Sequence, residues 1–196
     1  MENKKFKIIF VLGAPGGGKN TQCDLIKAKY KIFHFSCGEL LREAVRTNDP
    51  EAETINKMMK EGIIVPARIT CSLQKKEMLK NSDKYNTYLC DGFPRNEENL
   101  NVFIDTFKNE IEIIGVIFID CPIEVAAQRI SHRKGGRVDD NIESLKKRFK
   151  VMEDETIPNL DNLKKYGPIF RINGNQQIND VFNDIDKNIS SLLELK

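Results

Sequence analysis

A mostly apolar run, Phe6–Leu12 (FKIIFVL), leads directly into Gly13-Ala14-Pro15-Gly16-Gly17-Gly18-Lys19, and no other feature limits the choice of fold so strongly. A GxxxxGK stretch does its work only where a buried strand ends and a helix begins. The glycines let the backbone curl so that its N–H groups point inward around an anion. The helix that follows adds the positive end of its dipole. Lys19 extends into the same space as a flexible cation. This strand–loop–helix context separates the motif from a glycine-rich turn that merely precedes a surface lysine.

The rest of the chain continues the pattern set by that junction. Short apolar runs at Phe33–Phe35, Thr87–Asp91, Ile113–Asp120 and Ile169–Ile172 read as further strands. Between them lie helix-prone stretches at Thr21–Lys31, Glu39–Asn48, Glu51–Glu61, Ala67–Asn81, Asn96–Asn109, Ile123–Ser131, Ile142–Lys165 and Asn179–Leu195. Continuous apolar strands alternating with helices predict an α/β fold with a parallel sheet covered on both faces. Two segments break the rhythm. Residues 36–68 hold helices without a strand, and residues 133–141 (RKGGRVDDN) are charged and glycine-rich. Ligands of open α/β sheets bind beyond the carboxyl ends of the strands, so both segments are placed to cover a site.

Composition narrows the function classes. The 196 residues fit one domain, and 31 Lys+Arg against 29 Asp+Glu leave a net charge of +2. That balance predicts neither a nucleic-acid nor a membrane partner. Ile8–Leu12 is too short to span a bilayer. Cys23, Cys37, Cys71, Cys90 and Cys121 are scattered and include no CxxC pair. They read as reduced, mostly buried thiols of a cytoplasmic protein, with the nucleus as an alternative.

The basic residues matter through their placement. Arg42 follows Ser36 and Glu39, which fit a capping box. Arg95 ends Asp91-Gly92-Phe93-Pro94-Arg95, just past a strand. Arg129, Arg133, Arg137 and Arg148 gather around the second interruption. Each alone would pass for a solvated surface group. Together, beside a phosphate loop, their planar forks suit phosphate oxygens. Asp91, at a strand end, reads as holder of a magnesium-bound water, with helix capping as its competitor. The residue after Lys19 is Asn20, followed by Thr21, where a hydroxyl commonly binds Mg²⁺. Asn20 or a water is therefore expected to carry the metal.

In this order the motifs GAPGGGK (13–19), TQC (21–23), SCGELLRE (36–43), EGIIVP (61–66), DGFPRN (91–96), DCP (120–122) and GRVDDN (136–141) with Lys147-Arg148 resemble the nucleoside monophosphate kinases, closest to the UMP-CMP kinases. The resemblance runs from about Ile8 to Phe182. It implies a P-loop NTPase-type parallel five-stranded sheet within a single domain, with a core of 1–35, 67–132 and 142–196, a monophosphate-binding region at 36–66 and a lid at 133–141. ATP is the implied phosphoryl donor, with Mg²⁺. The ATP site falls on Gly16, Gly17, Gly18, Lys19, Asn20, Thr21, Arg129, Arg133 and Gln176. The acceptor site falls on Arg42, Ile63, Ile64, Val65, Gly92, Phe93, Arg95, Asn96, Asn99, Arg137 and Arg148. Lys19, Arg95, Arg133, Arg137 and Arg148 are the implied catalytic residues, Asp91 and Asn20 hold the metal through water, and Asp139 and Asp140 help close the lid. A monomer is expected by analogy.

The acceptor base rests on DGFPRNEENL. Adenylate kinases typically carry Gln at the position of Asn99, whereas UMP-CMP kinases carry both Asn96 and Asn99. The expectation is that both amides face a pyrimidine edge from one side of a helix, with N-terminal capping as the competing role of Asn96. The expected reaction is direct in-line transfer to UMP, CMP and dCMP, with an adenylate kinase as the alternative. A GTPase-like switch lacks its NKxD signature, since Asn56-Lys57 is followed by Met58-Met59. A binding module without catalysis is opposed by Lys19 and the arginines. Three departures from the family stand out: Asn20 in place of Gly, a lid loop two residues shorter between Arg133 and Arg137, and Gln176 near the adenine.

Overall fold

The computed structural model describes residues 5–132, 137 and 140–194. Five parallel strands form one sheet in the order β2-β3-β1-β4-β5. They are β1 (Phe6–Gly13), β2 (Phe33–Ser36), β3 (Thr87–Asp91), β4 (Ile111–Asp120) and β5 (Ile169–Asn173). Side chains alternate along β1. Ile8, Phe10 and Leu12 enter one core, with Tyr88, Cys90, Val116 and Phe118. Ile9 and Val11 enter a second core on the opposite face, with Leu89, Ile117 and Ile119. Because both faces are covered from Ile8 onward, no position there can be polar without cost, and Ile8–Leu12 reads as an unbroken apolar run.

Helices α1 (Lys19–Lys29) and α9 (Ile178–Glu194) cover the second face. Cys23 and Ile26 of α1 pack there with Val181, Ile185 and Ile189 of α9. The first face carries α2 (Cys37–Arg46), α3 (Ala52–Glu61), α4 (Ala67–Lys80), α5 (Glu97–Phe107) and α8 (Ile157–Leu163). The remaining helices, α6 (Ile123–Ser131) and α7 (Ile142–Val151), follow β4 and the 133–141 segment. β1 lies between β3 and β4, so the chain crosses from one side of it to the other after β3. A crevice opens at such a switch point, beyond the carboxyl ends of the strands. Among the described residues no helix is long and apolar enough to cross a membrane.

Two local expectations fail. Ser36 is the N-cap residue of α2, yet its side chain makes no cap hydrogen bond, so the capping box does not form. Glu39 turns instead toward arginines. The single helix expected at Ile142–Lys165 is interrupted by a π turn, Met152–Thr156. Pro158 lies at the start of α8. Its ring has no N–H and crowds the carbonyl four residues back, so the helix path widens before it. The Ile157 N–H bonds to the Met152 carbonyl across the wide turn.

Candidate active site

The 13–19 loop is shaped by close backbone approach. Gly13 has φ 145°, and a Cβ on it would stand 2.4 Å from the Ile119 carbonyl oxygen. Gly16 has φ 80°, and a Cβ there would meet the Ala126 carbonyl at 2.3 Å. Only glycine fits at either position. The turn closes through Gly17 N–H to the Ala14 carbonyl at 2.9 Å. Helix α1 starts at Lys19 after a left-handed Gly18, with no side-chain cap and no acidic residue in its first turn. Its leading N–H groups therefore keep their capacity to bind an anion.

Lys19 Nζ donates to the Gly13 and Ala14 carbonyls at 2.9 and 3.0 Å. Burial pushes its pKa down to about 8, against the pull of Asp91 and with further lowering from Arg148 and Arg95. The ammonium is held in a poorly hydrated place where partner charge has a large effect.

Lys19 lines a cavity of about 620 Å³. Gly16, Gly17, Gly18, Asn20, Thr21, Arg129, Gln176 and Gln177 share that lining. Arg42, Arg95, Arg137, Arg148 and Asp91 line it as well, as do Met59, Gly62, Ile63 and Val65. Arg129 donates to the Gly174 carbonyl at 3.0 Å, and Gln22 bonds across to the Ile178 carbonyl at 2.9 Å, fixing the wall after β5. Arg133 and Asp139 lie outside the described residues.

Arg95 is held at three points. Its N–H donates to Asn99 Oδ1 at 3.2 Å, its carbonyl accepts from Thr156 Oγ1 at 2.8 Å, and its Nε donates to the Gly92 carbonyl at 3.2 Å. The π turn thus sets the position of an arginine 61 residues away in sequence. Neither Thr156 nor Glu155 was singled out by sequence reasoning. The one signal pointing there was a proline inside a helical pattern.

Glu39 Oε1 accepts from Arg42 Nη2 at 2.7 Å and from Arg137 Nη2 at 2.9 Å, joining the 36–66 region to the 133–141 segment. The Arg42 hydrogen bond is the main reason that its carboxyl lies below the usual range. Asp140 Oδ2 accepts from the Arg137 N–H at 3.1 Å, and Oδ1 lies 3.8 Å from Arg148.

Four predicted acceptor residues stand back from the cavity wall: Ile64, Phe93, Asn96 and Asn99. Phe93 is 1% exposed and its ring packs against Phe10 and Phe103, because an aromatic side chain gains more from the core than from a wet cleft. Asn96 has its amide engaged at the start of α5. Its Oδ1 accepts from the Asn99 N–H at 2.9 Å as the N-cap of α5, and its Nδ2 donates to Glu155 at 2.8 Å. Capping takes the amide because the first N–H groups of a helix otherwise lack partners. Asn99 is 3% exposed, its oxygen is taken by Arg95, and its Nδ2 makes no hydrogen bond among the described residues. Asn96→Ala should therefore cost about 1 kcal/mol and lower Tm by roughly 2–4 °C. An unchanged Tm with a raised KM for the acceptor would return Asn96 to base recognition.

The comparisons agree with this geometry. The family model described as adenylate kinase matches residues 11–167. "Probable UMP-CMP kinase 1" of Arabidopsis thaliana is 42% identical over 91% of this chain and 86% of its own. "UMP-CMP kinase" of Rattus norvegicus is 41% identical over 92% of this chain and 95% of its own, and that of Homo sapiens 40% over 91% and 94%. With a glycine loop closing on a lysine, arginines facing one cavity and most of its length matched, this chain belongs to the adenylate kinase family.

Proposed function

We propose that this protein transfers the γ-phosphate of ATP to UMP, CMP and dCMP by direct in-line displacement. One observation carries the reading: Lys19, Arg42, Arg95, Arg137 and Arg148 line a single cavity together with the phosphate loop and the apolar side chains Met59, Ile63 and Val65. Two anionic ligands can meet there with their phosphates between the cations. Phosphoryl transfer needs such positioning and charge neutralisation more than covalent chemistry.

In this reading Gly16–Lys19 cradle the ATP phosphates, while Asn20, Thr21, Arg129 and Gln176 hold the rest of the donor. Arg42 and Arg95 grip the acceptor phosphate. Arg137 and Arg148, with Arg133, neutralise the group in flight. Ile63 and Val65 lie along the acceptor base. The incoming phosphate takes over arginine forks that Glu39 holds, which moves both covering segments and excludes water.

Asp91 supports a role for Mg²⁺. Its side chain is 4% exposed, and Oδ1 has no hydrogen-bond partner. A buried carboxylate oxygen left unsatisfied at the cavity wall fits a cation or its water. Bound there with Asn20, the ion would neutralise phosphate charge. The protein is proposed to work as a monomer in the cytoplasm.

The pyrimidine preference is supported by the relatives' names. The test is ADP release with UMP, CMP, dCMP and AMP compared. UMP and CMP should exceed AMP by on the order of tenfold in kcat/KM. Equal or better use of AMP would make the protein an adenylate kinase by activity.

A further inference from the structure

We propose that Cys23, His34 and Asp91 form a second cation site, beneath the phosphate loop, that takes a thiophilic divalent ion such as Zn²⁺ or Cd²⁺. The three residues come from separate elements, α1, β2 and the end of β3. One ligand atom from each lies within 4.8 Å of the others. His34 Nε2 is 3.8 Å from Asp91 Oδ2, and the two side chains are 7% and 4% exposed. His34 Nε2 and Asp91 Oδ1 are both buried without a hydrogen-bond partner. Native interiors rarely leave two polar atoms of neighbouring side chains unpaired, and an ion would satisfy both.

The donor set decides the kind of ion. Sulfur, imidazole and carboxylate together suit zinc or cadmium, whereas Mg²⁺ takes oxygen alone. Zinc holds sulfur at about 2.3 Å and nitrogen or oxygen at about 2.0–2.2 Å. Tetrahedral bonds of that length set ligand atoms roughly 3.3–3.7 Å apart, so atoms now within 4.8 Å of one another must draw together on binding. Access is from the cavity, since Asp91 lines its wall. The fourth position would open toward that side and take a water. Burial is the main reason the Cys23 thiol lies well above its usual range, so binding must release its proton to solvent.

The site shares Asp91 with the magnesium role proposed above, so an occupied site withholds that carboxylate from catalysis. This consequence rests on the kinase reading; the binding itself does not. The direct test is titration of the metal-free full-length protein with Cd²⁺, read by the ultraviolet cadmium–thiolate charge-transfer band, with Zn²⁺ competition. One equivalent should bind. Cys23→Ser should remove the band, His34→Gln should weaken binding about tenfold or more, and Cys121→Ser should leave it intact. No band in the unaltered protein, or an equal band in Cys23→Ser, overturns the site. In the second arm, micromolar Zn²⁺ should inhibit the Mg²⁺-supported reaction of the unaltered protein and spare Cys23→Ser, whose basal rate should stay within a few-fold. Equal inhibition of both overturns the regulatory consequence. Loss of the reaction in every form, with the band present, would fault the kinase reading and leave the metal site standing.

Discussion

Lys19→Met is expected to lower kcat by on the order of 10³ while leaving the protein folded. The ammonium is poised at the mouth of the loop, bonded to the Gly13 and Ala14 carbonyls, where an arriving phosphate can take it over. Its pKa, down from 10.5 to about 8, also fixes the sign of the stability effect. A lysine whose pKa falls on folding binds protons more weakly in the native state. Its charged form opposes folding below about pH 8, and stability rises between about 8 and 10.5 as the unfolded state comes to bear the extra proton. Met removes that opposition, so Tm at pH 7 should hold or rise. The same titration predicts that kcat/KM, a property of the free enzyme, falls as pH passes about 8. Near-full kcat in a normally melting variant would remove Lys19 from the chemistry.

Arg95→Lys is expected to cut kcat/KM for UMP by about 10²-fold and to leave the KM for ATP near its original value. The Arg95 backbone is pinned by Asn99 and Thr156 and its Nε by the Gly92 carbonyl, so its planar fork is presented from a fixed base. Lysine keeps the charge but offers no fork, and loses the geometry of a two-point grip on phosphate. Steady-state kinetics with each substrate varied in turn would check this. Equal losses for ATP and UMP would mean that Arg95 serves the transferred group alone.

The parts of the site that were legible in the sequence are those set by local backbone demands. The glycines of 13–18 announce a loop because a side chain at Gly13 or Gly16 would strike backbone. The strands announce themselves because burial on both faces forbids polar alternation. Arg42, Arg95, Arg137 and Arg148 could be gathered from their positions at segment ends, and the structure does bring them to one cavity. Glu39 was read as a local cap. It bonds instead to Arg42 nearby and to Arg137, 98 residues away, and nothing in the neighbourhood of residue 39 encodes that second meeting. Asn96 offered two roles with one chemistry. Only the position of Glu155 shows that its amide is fully used at the helix end.

The wide turn at Met152–Thr156 has an angular consequence. Side chains on an α-helix advance by about 100° per residue, and a π turn takes in one residue more than an α turn. It therefore resets the phase between what comes before and after it. On the near side Arg148 points to the cavity, and on the far side Leu160 and Leu163 point into the core. An uninterrupted helix would have to rotate one set out of place to keep the other. Removing a single residue here would swing the arginine and the leucines apart by about 100°, although none of those side chains had been altered.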